Sequence, residues 1–437
     1  MKYNFDNEVC RKGTRSIKWD ALEKVYGKED LLPLWVADMD FETPDFIMDA
    51  LRKRLEHPVL GYTLVPDSYY ESIIAWQKRR NDWEISREQV TYIPGIVKGI
   101  AMAIQAFTMP GDKIIVQPPI YHPFHLLPQA AGREVVWNPL KPIYSSGNSQ
   151  EQFNTVGHFD DDCQGISKVK NEDVKGCGRR SSNDTLIDYE MDFEQLEDAI
   201  EGARMLILSN PHNPAGIVWS AETLEKLASI CYKHGVIVIS DEIHSDMTLF
   251  GHKHIPFAMV SPEAAACSIT FTSPSKTFNI AGVVSSYAVV IDPDLRDKFF
   301  TYLEVGHLDR PHIFATIAVE AAYTHGDEWL EQMLVYVEEN ALFVEKFLAE
   351  RIPMVKALRP QASFLVWLDC RGLFESHKNI VKQKDLVDFF VNKVGIALND
   401  GTGYGPGGKG FMRLNIGTRR ALITEALERL ATAVTKL

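Results

Sequence analysis

From about residue 89 the chain sets short aliphatic runs against stretches of helical periodicity, and this alternation constrains the fold more than any other feature. The runs are Val90–Ile93, Ile114–Gln117, Met205–Ser209, Val236–Ser240, Ile269–Thr272 and Tyr287–Ile291. A strand with one wet face alternates apolar and polar residues. Several of these runs are apolar at almost every position, so both of their faces must be covered. Strands of that kind, separated by helices, imply an α/β fold around a mostly parallel sheet.

The flanks read differently. The opening segment, through Trp35-Val-Ala-Asp-Met-Asp-Phe41, reads as an arm, and a helix is expected after it with Thr43 as N-cap and Pro44 as its first residue. Residues 328–351 form one long helical pattern. A strand over Ser363–Leu368, a helix over Lys384–Lys393, a strand over Gly410–Asn415 and a last helix from Arg420 then read as a smaller α+β domain. With 437 residues there is room for two domains. The expected division is an arm and part of the small domain over 1–55, a large domain over 56–300, and an interdomain helix with the C-terminal small domain over 301–437. Residues 144–183 are rich in Ser, Gly, Asn, Asp and Lys with little periodicity, and read as a flexible insertion.

Composition narrows the partners. A formal net charge of −13 argues against nucleic acid. The chain has no run approaching ~18 apolar residues, so no membrane span is expected. Residues 1–15 are polar and carry no apolar leader pattern. Six scattered cysteines with no C-x-x-C pair fit reduced thiols in a cytoplasm better than a disulfide framework or a zinc site. Gly403, Gly405 and Gly408 match G-x-G-x-x-G, but no strand precedes them and no helix follows, so this stretch reads as a flexible loop rather than a dinucleotide site.

Chemistry-bearing residues cluster after the expected strands, on the sheet edge where open α/β proteins bind ligands. Thr272-Ser-Pro-Ser-Lys276 puts an amine between hydroxyls: a desolvated lysine is a Schiff-base nucleophile, and Ser273 and Ser275 could hold a phosphate beside it. Asp241 closes an aliphatic strand, where a carboxylate either caps a helix or pairs with a protonated ring nitrogen. Asn210-Pro-His-Asn213-Pro makes a stiff turn that could aim the Asn213 amide at a ring oxygen. Tyr121, in Gln117-Pro-Pro-Ile-Tyr121, could stack on a flat heterocycle or serve as a core aromatic. Gly95, Ile96 and Val97 open a helix whose N–H groups make an anion cradle. Arg413, on a strand of the small domain, suits a carboxylate gripped by two hydrogen bonds, or a structural ion pair.

The order Tyr121, Asn213-Pro-Ala-Gly, Asp241, Ser-x-Ser-Lys276 and Arg413 resembles the fold-type I pyridoxal-phosphate enzymes of the class I/II aminotransferase group, from about Trp35 to the end of the chain without the insertion. Trp35–Phe41, Ser240-Asp-Glu-Ile-His244 and Ser275-Lys-Thr-Phe-Asn-Ile280 resemble the cystathionine β-lyase branch. The resemblance implies a seven-stranded sheet and pyridoxal 5'-phosphate bound through Lys276. Asp241 would meet the ring nitrogen, Asn213 the ring oxygen and the substrate, and Tyr121 would cover the ring. Ser273, Ser275 and the Gly95–Val97 amides would hold the phosphate, and Arg413 the substrate carboxylate. Tyr62 would reach the phosphate of a second copy, which implies a homodimer with a shared site. His244 stands where many aminotransferases place a tyrosine, Val284 where many place an arginine, and His122 where some lyases carry a second tyrosine. The implied activity is β-elimination at the C–S bond of an L-cysteine thioether. The alternatives are transamination with a 2-oxo acid and a cofactor-loaded regulatory protein with little turnover.

Overall fold

The computed structural model describes residues 2–145 and 185–437. Its strands, in chain order, are β1 (Leu32–Pro33), β2 (Val90–Ile93), β3 (Lys113–Val116), β4 (Glu134–Trp137), β5 (Lys141–Ser145), β6 (Thr185–Glu190), β7 (Ala203–Ser209), β8 (Ile237–Asp241), β9 (Ser268–Thr272), β10 (Ser286–Val289), β11 (Lys356–Leu358), β12 (Leu365–Asp369), β13 (Ile396–Ala397), β14 (Asn399–Asp400) and β15 (Phe411–Asn415). A seven-stranded sheet has the order β2-β10-β9-β8-β7-β3-β4. Only β10 runs against its neighbours; the other pairings are parallel.

The aliphatic runs are buried on both faces, as their composition requires. Ile114, Val116, Met205, Ile207 and Ile239 pack to one side with the helix Ile96–Phe107. Ile115, Leu206, Leu208 and Val238 alternate to the other side, against Leu224, Leu227 and Cys231 of the helix Ala221–Lys233. Period-two alternation thus feeds two cores from one strand. A four-stranded antiparallel sheet, β11-β12-β15-β14, forms the smaller layer. The 25-residue helix Asp327–Arg351 packs on it, and β1 pairs in parallel with β13, tying the arm to the C-terminal part.

Several expectations shift. The first long helix is Asp45–Leu55, with Pro44 rather than Thr43 at the N-cap, because the Thr43 hydroxyl donates instead to the Asn279 carbonyl at 3.3 Å. The small-domain strands begin later than expected, at Leu365 and Phe411, since Ser363 (φ 76°) and Gly410 (φ 85°) take left-handed backbone that ends a ladder. Tyr144 and Ser145 belong to a ribbon in which β5 pairs with β6, so the insertion expected from Tyr144 starts two residues too early. Its remaining residues, 146–183, with Cys163 and Cys177, lie outside the described part. The glycine-rich stretch is no flexible loop. It forms a 3₁₀ turn, Gly401–Tyr404, and the Ile120 N–H donates to the Tyr404 carbonyl at 2.8 Å. A Cβ at Gly401 or Gly408 would run into the other's carbonyl oxygen, so the glycines serve close packing. Among the described residues no helix is long and apolar enough to cross a membrane, and no group of three or more His, Cys, Asp or Glu side chains could hold a metal.

Candidate active site

The C-terminal ends of β2, β3, β7, β8 and β9 share one sheet edge because these strands run the same way. Lys276 lies on the single turn Pro274–Thr277 just past β9. Ser273 caps that turn, its hydroxyl accepting from the Ser275 N–H at 3.2 Å. The Lys276 Nζ donates to the Ala37 carbonyl at 2.5 Å and forms no ion pair with a described carboxylate. Burial lowers its pKa to about 8; Asp38 works against this shift and the charge of Arg413 adds to it.

Asp241 ends β8 and is buried. Its Oδ1 accepts from the Ile243 N–H at 3.1 Å, and no cation touches it among the described residues. Burial raises its pKa to about 7, against the Ile243 hydrogen bond and the charge of Lys276. The next residue faces the other way. Glu242 accepts from the Ser240 hydroxyl at 2.8 Å and the Phe257 N–H at 2.9 Å, and its other oxygen lies 2.9 Å from His254 Nε2.

Asn213 follows β7, its N–H donating to the Ser209 hydroxyl at 3.1 Å. Its side-chain oxygen accepts from Arg413 Nη1 at 3.1 Å, which joins the small sheet to the large one. Arg413 Nη2 donates to the Trp35 carbonyl at 3.1 Å and to Asn399 Oδ1 at 2.7 Å. A guanidinium has five donors. These bonds leave one Nη1 hydrogen and the buried Nε–H of Arg413 without a partner among the described residues. Tyr121 is half-buried, edge-on to Phe124 at 5.8 Å, and burial raises its phenol pKa while Arg413 opposes that. The His244 imidazole is buried with Nδ1 unpartnered. Burial, helped by Lys276 and Arg413, lowers its pKa to about 3.

Gly95, with φ 102°, turns the chain from β2 into the helix Ile96–Phe107. The N–H groups of Ile96 and Val97 lie in the first turn, where a helix offers no internal acceptor. Val284 borders the same turn, 3.9 Å from where a Gly95 Cβ would sit. Tyr62 is not brought to these groups. It is fully exposed, in a segment without helix or strand where Val59, Leu60 and Leu64 are exposed too.

Two participants escaped the sequence reading of the site. Tyr404 lies under the Arg413 guanidinium, whose Cζ is 5.2 Å from the ring centroid, and its buried hydroxyl has no partner among the described residues. Its only signal was an aromatic among glycines. Asn279 straps the arm to the lysine turn: it accepts from the Met39 N–H at 3.0 Å and donates to the carbonyls of Met39 and Phe41 at 2.9 and 2.7 Å. A side chain pairing with backbone some 240 residues away leaves no local pattern to read.

The sequence profile described as aminotransferase class I and II matches residues 29–164 and 177–430. The chain is 39% identical to cystathionine beta-lyase PatB of Bacillus subtilis, over 99% of this chain and 100% of that protein. Among solved structures, cystalysin from Treponema denticola, which contains a pyridoxal 5'-phosphate cofactor, superposes with a TM-score of 0.85 at 29% identity over 100% of each chain. The pyridoxal-phosphate-bound C-S lyase of Staphylococcus hominis, complexed with L-cycloserine, gives a TM-score of 0.83 at 28% identity over 99% of each.

Proposed function

This chain belongs to the aminotransferase class I and II family, and from that premise we propose that it is a pyridoxal-5'-phosphate-dependent carbon–sulfur lyase. It cleaves an L-cysteine thioether of the cystathionine type by β-elimination, giving a thiol, pyruvate and ammonia. The observation that carries the reading is a pair of groups at one sheet edge. The Lys276 amine is lowered to about 8 and the Asp241 carboxyl raised to about 7, and neither is neutralised by a contact. The lyase names of PatB, cystalysin and the Staphylococcus hominis enzyme support the choice of reaction.

The residues fit the cofactor. Buried Asp241 lacks the cation that a protonated ring nitrogen would provide, and the buried Nδ1 of His244 and Nε of Arg413 lack partners that a bound ligand would supply. When bound, the cofactor supplies an electron sink beside the substrate Cα. Lys276 would carry it, and its amine, with a pKa lowered to about 8, would take the Cα proton. Asp241, buried and without a cation among the described residues, would pair with the ring nitrogen and favour its protonated form. Asn213 and His244 would hold the ring oxygen, and Tyr121 would cover the ring. Ser273, Ser275 and the Gly95, Ile96 and Val97 N–H groups would hold the phosphate. Arg413, fixed by Asn213, Trp35 and Asn399, turns its unspent donors to the α-carboxylate.

The reading includes a homodimer in which Tyr62 reaches the phosphate of the other copy. Exposure of Val59, Leu60, Tyr62 and Leu64 in one short segment supports it, since a second copy would cover them. Residues 56–300 form the cofactor-carrying domain, and 301–437 with the arm 1–55 form its clamp. A cytoplasmic setting suits the four described cysteines, all of which are free. The test is to supply the purified protein with pyridoxal 5'-phosphate and L-cystathionine but no 2-oxo acid. Thiol, pyruvate and ammonia are expected in equal amounts. Turnover that starts only when a 2-oxo acid is added makes the protein a transaminase instead.

A further inference from the structure

The groups assigned above account for the carboxylate, nitrogen and Cα proton of a bound amino acid, but for nothing beyond Cβ. One titratable side chain on the same edge is still unused. His122 follows Tyr121 at the start of the helix Pro123–Ala130, half-buried, with its ring 4.8 Å from Tyr121 and 6.4 Å from Tyr404. Its imidazole makes no hydrogen bond among the described residues, although the neighbouring His125 bonds the Gly403 carbonyl at 3.2 Å. His122 therefore stands between the ring proposed to cover the cofactor and the residues around Arg413, with both nitrogens free.

We propose that His122 is the acid that protonates the departing sulfur; this rests on the lyase reading. As the Cβ–S bond breaks, its electron pair leaves with sulfur. The imidazolium N–H gives that sulfur its proton, releasing a neutral thiol, and the neutral imidazole takes up a proton from solvent when the next substrate binds. The charged groups facing His122 set when it can act. Arg413, on β15, and His125, on its own helix, are the ionisable neighbours that depress it, while Tyr121 and Tyr404 present neutral phenols. In the free protein, burial and then Arg413 and His125 hold the imidazole down to about 4, so it is uncharged near neutrality. A substrate carboxylate on Arg413 offsets the charge of that arginine, the second cause after burial, and so raises the proton affinity of the imidazole. Loading the substrate thus shifts His122 toward its acid form.

Two experiments on the cofactor-loaded protein decide this. In the first, histidine NMR follows the His122 titration with and without saturating L-alanine, which has a carboxylate and no leaving group. A rise of at least about one pKa unit is expected; an unchanged titration overturns the proposal. In the second, His122→Gln and His122→Asn are assayed with L-cystathionine, which expels an alkyl thiolate, and with an S-(nitrophenyl)-L-cysteine, whose thiolate needs no proton to leave. Turnover of the first should fall about 100-fold and of the second less than about threefold. Equal losses on both substrates, or none, overturn the acid role and leave the lyase reading standing. Wild-type protein that releases pyruvate from neither substrate overturns the lyase reading, and the acid role with it.

Discussion

Two clusters of buried charge lie within a few residues of each other along the arm and the lysine turn, and they are built on opposite plans. In the first, fully buried Lys18 meets Asp40 at 2.7 Å. Arg11 reaches the same carboxylate at 2.8 Å and Asp38 at 2.7 Å, and the Trp19 indole adds a bond to Asp40 at 2.9 Å. Although burial alone would raise it, Lys18 and its neighbours hold the Asp40 carboxyl below its ordinary range. In the second cluster, Lys276, Asp241 and His244 are nearly starved of partners, and each pKa moves toward the uncharged form. Saturated charge fixes a chain in place, while unsatisfied charge waits for a ligand. The difference separates a cluster built as architecture from the one proposed for chemistry.

The largest effect that could break this contrast is on turnover. Lys276→Ala should cut pyruvate release at least about 1,000-fold and leave the melting temperature of the cofactor-free protein within about 2 °C. A collapse in stability would show that the lysine is structural. Asp40→Ala should do the reverse, costing about 3 kcal/mol by taking the closest carboxylate from fully buried Lys18, read from denaturant unfolding, with kcat per folded molecule changed less than about tenfold.

The pH dependence sharpens the comparison because the signs oppose. Asp40 has a folded pKa below its unfolded value, so its contribution is present above that value and is lost as pH falls through the folded pKa. Asp241 has a folded pKa near 7, above its unfolded value of 3.8, so its contribution is full below 3.8 and is lost as pH rises through about 7. Cofactor-free Asp241→Asn should therefore gain stability relative to wild type between about pH 4 and 7, and Asp40→Asn should lose it as pH climbs from strong acid to about 4. Thermal melts from strong acid to about pH 7 that move in parallel would erase the distinction. The smallest effect concerns the exposed segment: Tyr62→Ala should weaken cofactor binding about tenfold, measured by equilibrium titration, while changing subunit stability by less than about 0.5 kcal/mol. Unaltered cofactor affinity removes Tyr62 from the site.

The starved cluster was the more legible in sequence. Lys276, Asp241 and Asn213 each stand a few residues past an aliphatic run, punctuated by Pro, Ser or Asn, and strand ends are where local pattern is strongest. The saturated cluster left no such trace. Lys18 and Asp40 stand 22 positions apart in the arm, and only tertiary packing pairs them. Strand β4 was missed because Glu134–Trp137 is a short edge strand with only one residue, Val136, packed into a neighbouring core on one side and Val135 and Trp137 on the other. The β5–β6 ribbon was hidden by the 39 residues between its strands. The packing of Tyr404 was masked by its glycines, which read as freedom but serve contact.

Asp241 and Glu242 carry one further lesson. Consecutive carboxylates at the end of β8 face opposite ways, one toward open chemistry and one into a closed knot of hydrogen bonds. Strand parity makes that assignment, since a shift of one residue turns every side chain to the other face. A single-codon insertion or deletion in Ile237–Ser240 would swap the two acids, bringing the one shaped for the interior to the substrate and burying the other.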